Sequence, residues 1–449
     1  MIIDFTIQNF RSIKDEQVFS LNVEKPKQHL ATHVAYPGSG KIGALRSAGI
    51  YGANASGKSN ILLAFEALRY IVVSSGDLKE GDSIPAYEPF RLSDSTKNAP
   101  VIFEIEFFTK DNVRYVYRVS FNKDSILEES LDFFPSRQKA TIFTRSETDT
   151  WETISFGGLY KGGTKRIPFF KNNSYLSKAG DNAAAADLIR SIYYYFKHHI
   201  TYLGLQETVF IEDFFINDKV LGKLTSFLSN VDTGIYNIKT KINANPREIS
   251  FPDGFPVELK KAIVEKSSRQ FLFEHATESG EVEVFGEDDE SDGTRKLFEL
   301  FPLLFSAFSR GNILIIDELD SSFHPHIAEL IIKLFNDVEV NSNNAQLIFS
   351  THNLHLMSPA NLRRDQIWFT EKRKGSTTLF SLDEFDKSSV KSDSPYSSWY
   401  NNGRFGAIPS INYFEISNLL RPTSINEISK DAFDNLFGNA VDKIGSPNA

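Results

Sequence analysis

One octapeptide constrains this chain more than any other stretch: Gly52-Ala-Asn-Ala-Ser-Gly57-Lys58-Ser59. Its spacing is G-x-x-x-x-G-K-[ST], and it stands between the apolar run Ala48-Gly49-Ile50-Tyr51 and a helix-like segment from Asn60 to Val73. In the order strand, loop, helix, that spacing builds a phosphate-binding loop. Gly52 and Gly57 allow a tight turn that aims consecutive N–H groups inward, and the helix N-terminus that follows adds its partial positive charge. Lys58 is then expected at the β- and γ-phosphates and Ser59 at a Mg²⁺ ion. Ile61, Leu62, Ala64, Phe65, Leu68 and Ile71 give the helix one apolar face to bury.

Hydrolysing a bound nucleotide asks for more than a cradle. It needs a metal ligand, a group that positions water, and charge stabilisation at the γ-phosphate. Asn312-Ile-Leu-Ile-Ile-Asp317-Glu318-Leu-Asp320 fits the first two needs. Four consecutive branched apolar residues mark a strand buried on both faces of a parallel sheet, and two adjacent carboxylates at its end are costly unless a cation accompanies them. Asp317 is placed to hold Mg²⁺, mostly through water, and Glu318, pointing to the opposite side, to polarise the attacking water. A second buried run, Gln346-Leu-Ile-Phe-Ser-Thr351-His352, ends in a histidine able to donate to a γ-phosphate oxygen. Ser291-Asp-Gly293-Thr294 opens an apolar helix from Leu297 to Phe308, although a serine and a glycine there also fit plain helix capping.

Around these motifs the chain reads as α/β with an antiparallel lobe. Residues 1–21 alternate in two bursts about Asn9-Phe-Arg11-Ser12, a hairpin or two consecutive strands. Residues 101–108, 114–121 and 126–133 alternate strongly between short polar turns, an antiparallel meander that 141–144 and 150–156 extend. The pattern turns helical from Ala183 to Leu205 and from Ile211 to Leu228, then strand-like from Phe251 to Phe285. Beyond Leu379 an amphipathic, disordered-looking stretch leads to Gly403-Arg-Phe-Gly-Ala-Ile-Pro409, which turn chemistry fits equally to a turn against the head or a docking site. The expected organisation is an N-terminal half of a nucleotide head (1–100), the β lobe (101–180), an inserted helical and mixed segment (181–285), the C-terminal half of the head (286–385) and a C-terminal segment (386–449).

Composition narrows the partners. A net charge of -9 argues against a surface that is wholly a nucleic-acid platform, but leaves a local basic groove open. The loop Tyr160-Lys-Gly-Gly-Thr-Lys-Arg166 is either such a contact or a solvated loop. No run approaches the roughly 18 apolar residues of a membrane span, and Met1-Ile-Ile-Asp4 reads as a strand start, so the expectation is a cytoplasmic protein with no membrane contact. Zero cysteines exclude disulfides and Cys-ligated metals. The 39 phenylalanines are expected to fill the core.

The order of phosphate loop, long insertion, Ser-x-Gly-Thr, apolar strand with Asp-Glu, Leu319-Asp320 and strand-end His352 resembles the ABC-type P-loop ATPase heads of the Rad50, SMC, RecF and OLD groups. The resemblance implies ATP with Mg²⁺ held between two heads, Ser291 and Gly293 acting in trans, and Asp320 near the dimer seam. A narrower likeness rests on Asn9-Phe-Arg-Ser12, Gly52 through Asn60, Pro89-Phe-Arg-Leu92, Asp317-Glu-Leu-Asp-Ser-Ser-Phe-His-Pro325 and Gly403 to Pro409. These look like the stand-alone AAA_15/AAA_21-type ATPases, RloA- and AbiL-like, with relatives in the PARIS and Septu anti-phage systems. The chain departs from Rad50 and SMC by lacking a long heptad coiled coil, and from OLD proteins by lacking an acidic nuclease domain after His352.

The resemblance thus implies an ATPase that works as a homodimer or higher homo-oligomer and controls a separate effector, a nuclease or toxin, in anti-phage defence. Its expected catalytic residues are Lys58, Glu318 and His352. Nucleotide contacts are Gly52, Asn54, Gly57, Lys58, Ser59, Asn60, Ser291 and Gly293, with Arg11 on the base or ribose side. Metal ligands are Ser59 and Asp317. A glutamine linking metal to lobe is not evident, and Glu88 and Arg91 are weak substitutes. Two other readings remain open. One is a DNA-repair clamp with a basic groove fed by Lys161, Lys165, Arg166, Lys372, Arg373 and Lys374; the other is an ATP-locked scaffold, against which Glu318 argues.

Overall fold

The computed structural model describes the chain apart from residues 24–29, 39–41, 137, 205–216, 232, 243–268, 322–323, 387, 392, 409–411 and 420–449. Alternation builds its first sheet. Strands β1 (Ile2–Gln8) and β2 (Gln17–Ser20) pair antiparallel across the Asn9–Ser12 turn, where Asn9 and Arg11 take φ of 54° and 50°. Small strands β3 (Asn22–Val23), β4 (Val34–Ala35) and β5 (Gly43–Leu45) form a separate sheet that leads to β6 (Ser47–Tyr51) and helix α1 (Lys58–Val73).

The expected meander is present as β7 (Val101–Phe108), β8 (Arg114–Phe121), β9 (Ile126–Phe134) and β10 (Ala140–Ser146), extended by the two-residue β11 (Ser155–Phe156). Because β7 also pairs with β1, all of these strands share one antiparallel sheet in the order β11-β10-β9-β8-β7-β1-β2. Its inner face is largely aromatic: Phe5 meets Phe65 of α1 at 4.2 Å between ring centroids and Phe103 at 5.8 Å.

Two helices follow, α2 (Tyr175–Gly180) and α3 (Asp187–His199). The helical reading of 183–205 needs correcting at its end, since Ile200–Leu203 is a strand, β12. Its β-branched Ile200 and Thr201 favour extended backbone once the helix ends at His199. Helix α4 (Asp218–Ser229) covers the later part of the second helical stretch and ends one residue beyond it; residues 211–216 of that stretch are outside the described residues, as is 251–268 of the strand-like run. Strands β13 (Ile235–Ile242), β14 (Arg269–Ala276) and β15 (Val282–Gly286) then make a three-stranded antiparallel sheet.

The second half of the molecule supplies α5 (Asp292–Arg310), β16 (Ile313–Ile316), α6 (Pro325–Asn336), β17 (Gln346–Ser350), β18 (Ile367–Arg373) and β19 (Ser376–Ser381). The central sheet has the order β12-β16-β17-β6-β18-β19, parallel except at the β18–β19 edge. Every residue of β6, β16 and β17 is buried, as expected for parallel strands covered on both faces. On one face Ile50, Ile315 and Ile348 join α1 and the antiparallel sheet in a single core. Leu347 and Phe349 meet α5 and α6 on the other. The insert does not stand apart, because Phe271, Phe273, Ile238 and Leu224 pack on Leu297, Phe298 and Phe301 of α5.

Residues beyond Leu379 also differ from the expectation of disorder. Helix α7 (Tyr396–Asn401) and the turn after it bury Tyr396, Tyr400, Phe405 and Ala407 in the core that holds α6. Residues 1–408 form one compact unit and 409–449 a second. In the second, helix α8 (Tyr413–Leu419) exposes Tyr413, Phe414 and Leu419, and the polar tail lies outside the described residues. Among the described residues, no helix is long and apolar enough to cross a membrane.

Candidate functional site

The phosphate loop joins β6 to α1 and is braced from the β18–β19 hairpin. A Cβ on Gly57, whose φ is 112°, would lie 2.2 Å from Thr377 Oγ1; a Cβ on Gly52 would lie 2.6 Å from the Thr370 carbonyl. Glycine is therefore required by left-handed backbone at 57 and by close approach at 52. Thr377 Oγ1 donates to the Ser56 carbonyl (2.8 Å), and Ser56 Oγ lies 2.6 Å from Thr370 Oγ1. Asn60 Nδ2 donates to Ser12 Oγ (2.6 Å), and Ser12 Oγ in turn sits 2.8 Å from Thr377 Oγ1. The side chain of Asn60 thus serves the loop's frame. Asn54 is exposed at the loop tip.

Lys58 is 6% exposed and folds back onto its own loop, donating to the carbonyls of Gly52 (3.0 Å) and Ala53 (3.2 Å). Burial lowers its pKa, and Glu318, Asp317 and Asp320 oppose that shift. These carboxylates arrive through the sheet order: β17 lies between β6 and β16, so a strand-end residue of β17 touches both neighbours. Thr351 N–H donates to the Ile50 carbonyl (3.2 Å), while Ser350 Oγ donates to Asp317 Oδ1 (2.5 Å) and accepts from the Glu318 N–H (2.8 Å). Glu318 has φ 53°, an uncommon backbone for a non-glycine residue and one that occurs at functional sites. Thr351 Oγ1 donates to Asp320 Oδ1 (2.5 Å), tying the residue after Leu319 to the same strand end.

His352 follows directly. Burial and then the nearby Lys58 lower its pKa, against Glu318, Asp320 and Asp317, which raise it. The ring is more than a third exposed, so solvent screens these interactions, but all of them act on one ring, so His352, Lys58 and the three carboxylates occupy one neighbourhood. The Ser59 hydroxyl has no hydrogen-bond partner among the described residues, and Asp317 is 6% exposed with its Oδ2 free of hydrogen bonds among them. A hydroxyl and a buried carboxylate oxygen are the donor set a hard divalent cation uses, so these residues fit Mg²⁺.

Ser291 is the N-cap of α5, its Oγ accepting from Thr294 N–H at 3.1 Å. It is exposed, and Gly293 is half-buried in the first turn. Lys296, on the same helix, donates to the Ser321 carbonyl and Oγ (3.3 and 3.2 Å), linking this helix to the turn after Asp320. Arg11 pairs with Glu88 at 2.8 Å, so one candidate nucleotide contact already holds one of the two proposed glutamine substitutes; Arg91 is exposed. The basic residues do not share one sheet: 161–166 follow β11 at one edge of the antiparallel sheet, while 372 and 373 end β18 and 374 opens its turn into β19. Arg373 is paired with Glu371, and Lys165 lies over the Tyr160 ring.

Sequence reasoning passed over Ser350, Thr351, Thr370 and Thr377. The first two had a signal, hydroxyls at the end of an otherwise apolar strand; the last two sit in a hairpin remote in sequence from the loop they brace.

Residues 47–358, more than half of the chain, match the family model AAA_21, described as "AAA domain, putative AbiEii toxin, Type IV TA system". No curated protein matches the sequence. Among solved structures, the SMC head domain from Thermotoga maritima aligns at 13% identity with a TM-score of 0.38, over 85% of this chain and 98% of that one. An SMC head bound to the C-terminal winged-helix domain of ScpA aligns at 12% and 0.43, over 85% and 97%. The recombination mediator RecF aligns at 12% and 0.27, over 85% and 98%.

Proposed function

Because the chain belongs to the AAA_21 family and carries its loop, carboxylates and histidine at one end of one parallel sheet, we propose that it binds ATP with Mg²⁺ and hydrolyses it. Two heads closing on sandwiched ATP would then regulate a separate effector, a nuclease or toxin, in anti-phage defence. The observation that carries the catalytic part is the Ser350 hydroxyl, which joins Asp317 and the Glu318 N–H one strand away from the phosphate loop. The family's description, which names a toxin and a toxin–antitoxin system, supports the effector.

In this reading Lys58 leaves the Gly52 and Ala53 carbonyls for phosphate oxygens, recovering hydrogen bonds at the moment the nucleotide brings negative charge. Ser59 and Asp317 would hold Mg²⁺, which when bound would neutralise negative charge developing on the phosphates. Glu318 orients water and takes its proton, and neutral His352 donates to a γ-phosphate oxygen. Ser291 and Gly293 act in trans from an exposed helix start. The test is solution mass and phosphate release for wild type and Glu318→Gln, each with and without ATP and Mg²⁺. The variant is expected to release phosphate about 100-fold more slowly while gaining mass with ATP. Phosphate release that survives the substitution would remove Glu318 from the chemistry, and a mass indifferent to ATP would remove the sandwiched dimer.

A further inference from the structure

The Gly403–Ile408 segment is a motif of the sequence that the catalytic reading leaves without a task. Its place in the fold gives it one. From Asn401 the chain turns sharply: Gly403 N–H donates to the Tyr400 carbonyl (2.8 Å), Arg404 N–H to the Trp399 carbonyl (3.0 Å) and Gly406 N–H to the Gly403 carbonyl (3.1 Å). Gly403, Gly406 and Ala407 all take positive φ, of 73°, 69° and 57°. Two of the three are glycine, which adopts that backbone without the steric penalty of a Cβ; Ala407 bears the penalty.

That conformation aims the Ala407 carbonyl at the phosphate loop, where it accepts the Ala53 N–H at 3.1 Å. The same oxygen accepts the Tyr400 hydroxyl at 2.8 Å. Tyr400 is itself fixed, its ring stacked on Phe369 at 5.5 Å and 8° between planes, while Phe405 packs on Phe369 and Phe385. Phe369 precedes Thr370 on β18, so alternation puts the ring against Tyr400 and the hydroxyl against Ser56 of the loop. The loop is therefore gripped at two points, at Ser56 from the hairpin and at Ala53 from the C-terminal turn. Ala53 is held through both its N–H, on the Ala407 carbonyl, and its own carbonyl, which accepts from Lys58 Nζ and from the Ser56 N–H (3.2 Å each).

We propose that Tyr400 and the Ala407 carbonyl are positioning groups of the nucleotide site, keeping residues 52–54 in the shape that accepts phosphates when Lys58 swings away from them. This rests on the ATP reading above. Without the turn, Ala53 would keep only the Ser56 N–H bond from within its own loop (3.2 Å) as Lys58 departs, and more of the loop's ordering would fall to the nucleotide, weakening binding rather than the chemical step.

The test is Tyr400→Phe in the full chain, which keeps the ring and removes only the hydroxyl. Two readouts are followed: amide hydrogen exchange of residues 52–58 without nucleotide, and the KM and kcat of ATP hydrolysis. Faster exchange confined to the loop is expected, with KM raised about fivefold, the size of one neutral hydrogen bond, kcat within about twofold, and an unchanged melting temperature. Exchange of 52–58 equal to wild type would overturn the proposal, as would a rise in KM matched by a general loss of stability. Wild type that binds no ATP would instead sink the ATP reading, since the exchange readout needs no nucleotide. Arg404→Ala, which removes a contact with the Trp399 face on the same turn but no bond to the loop, is expected to leave exchange and KM unchanged; an effect equal to that of Tyr400→Phe would assign the result to the turn's packing and overturn the role given to the hydroxyl.

Discussion

Ser350 shows how much a single hydroxyl decides at this site. Its Oγ donates to Asp317 and accepts from the Glu318 backbone, so one atom fixes both the side chain expected at the metal and the peptide that carries the expected base. The left-handed Glu318 is held there by that bond and by Leu319 N–H on the Ser350 carbonyl at 2.9 Å. Ser350→Ala removes the first without opening a cavity of consequence. Turnover is expected to fall about tenfold or more while ATP affinity changes less than about threefold, because the lost bond orients groups used in the chemical step. Single-turnover kinetics beside a nucleotide titration separates the two. The pairing Asp-Glu was legible in sequence as adjacent carboxylates after an apolar run; the serine that organises it, a strand away and thirty-odd positions later, was not, since strand order is a tertiary fact.

At the scale of elements, the loop is a product of three neighbours: α1 that follows it, the β18–β19 hairpin and the turn after α7. Gly57 illustrates the constraint, because its φ and the 2.2 Å approach to Thr377 both exclude a side chain. Gly57→Ala is expected to abolish nucleotide binding while the chain still folds, since the strain is local and left-handed backbone costs a non-glycine residue roughly 1–2 kcal/mol. Near-wild-type ATP binding by that variant, measured by calorimetry, would show that the loop rearranges freely. The meander and the loop–helix unit were readable from period-2 alternation and spacing. The fate of 396–407 was not, as its aromatic residues are spaced irregularly and become core only through Phe369 and Phe385.

Within residues 1–408, one mainly parallel sheet with a core on each face carries the candidate site at one end. The insert packs on α5, which Ser291 caps and whose Lys296 reaches Ser321. Global stability has a titrating component. His199, on the central sheet's rim with Nδ1 2.6 Å from Asn312 Oδ1, has its pKa lowered from 6.5 by burial, and His198 and His352 are shifted the same way. Unfolded histidines therefore take up protons at a higher pH than the folded ones. The histidines' contribution is full above about pH 6.5 and is lost as pH falls from that value through the lower folded-state pKa values, and the buried Met1 amine, lowered from 8.0 to about 5, acts in the same direction starting from a higher pH. Thermal melts between neutral pH and about pH 5.5 are expected to show a falling midpoint, and His199→Gln to flatten the fall. A midpoint independent of pH across that window would refute the assignment.

The sequence by itself determined the phosphate loop, the buried strand ending in Asp317-Glu318, the strand ending in His352 and the antiparallel meander, because each is written in local spacing or periodicity that needs no partner to be recognised. Only the tertiary structure decided that Ile200–Leu203 joins the central sheet, that β1 and β2 share a sheet with the meander, and that the loop is held by Thr370, Thr377 and Ala407. Those are pairings between residues far apart in the chain, set by strand order and by which face each side chain turns to. Hydrogen bonds of that kind leave no periodic trace in the chain.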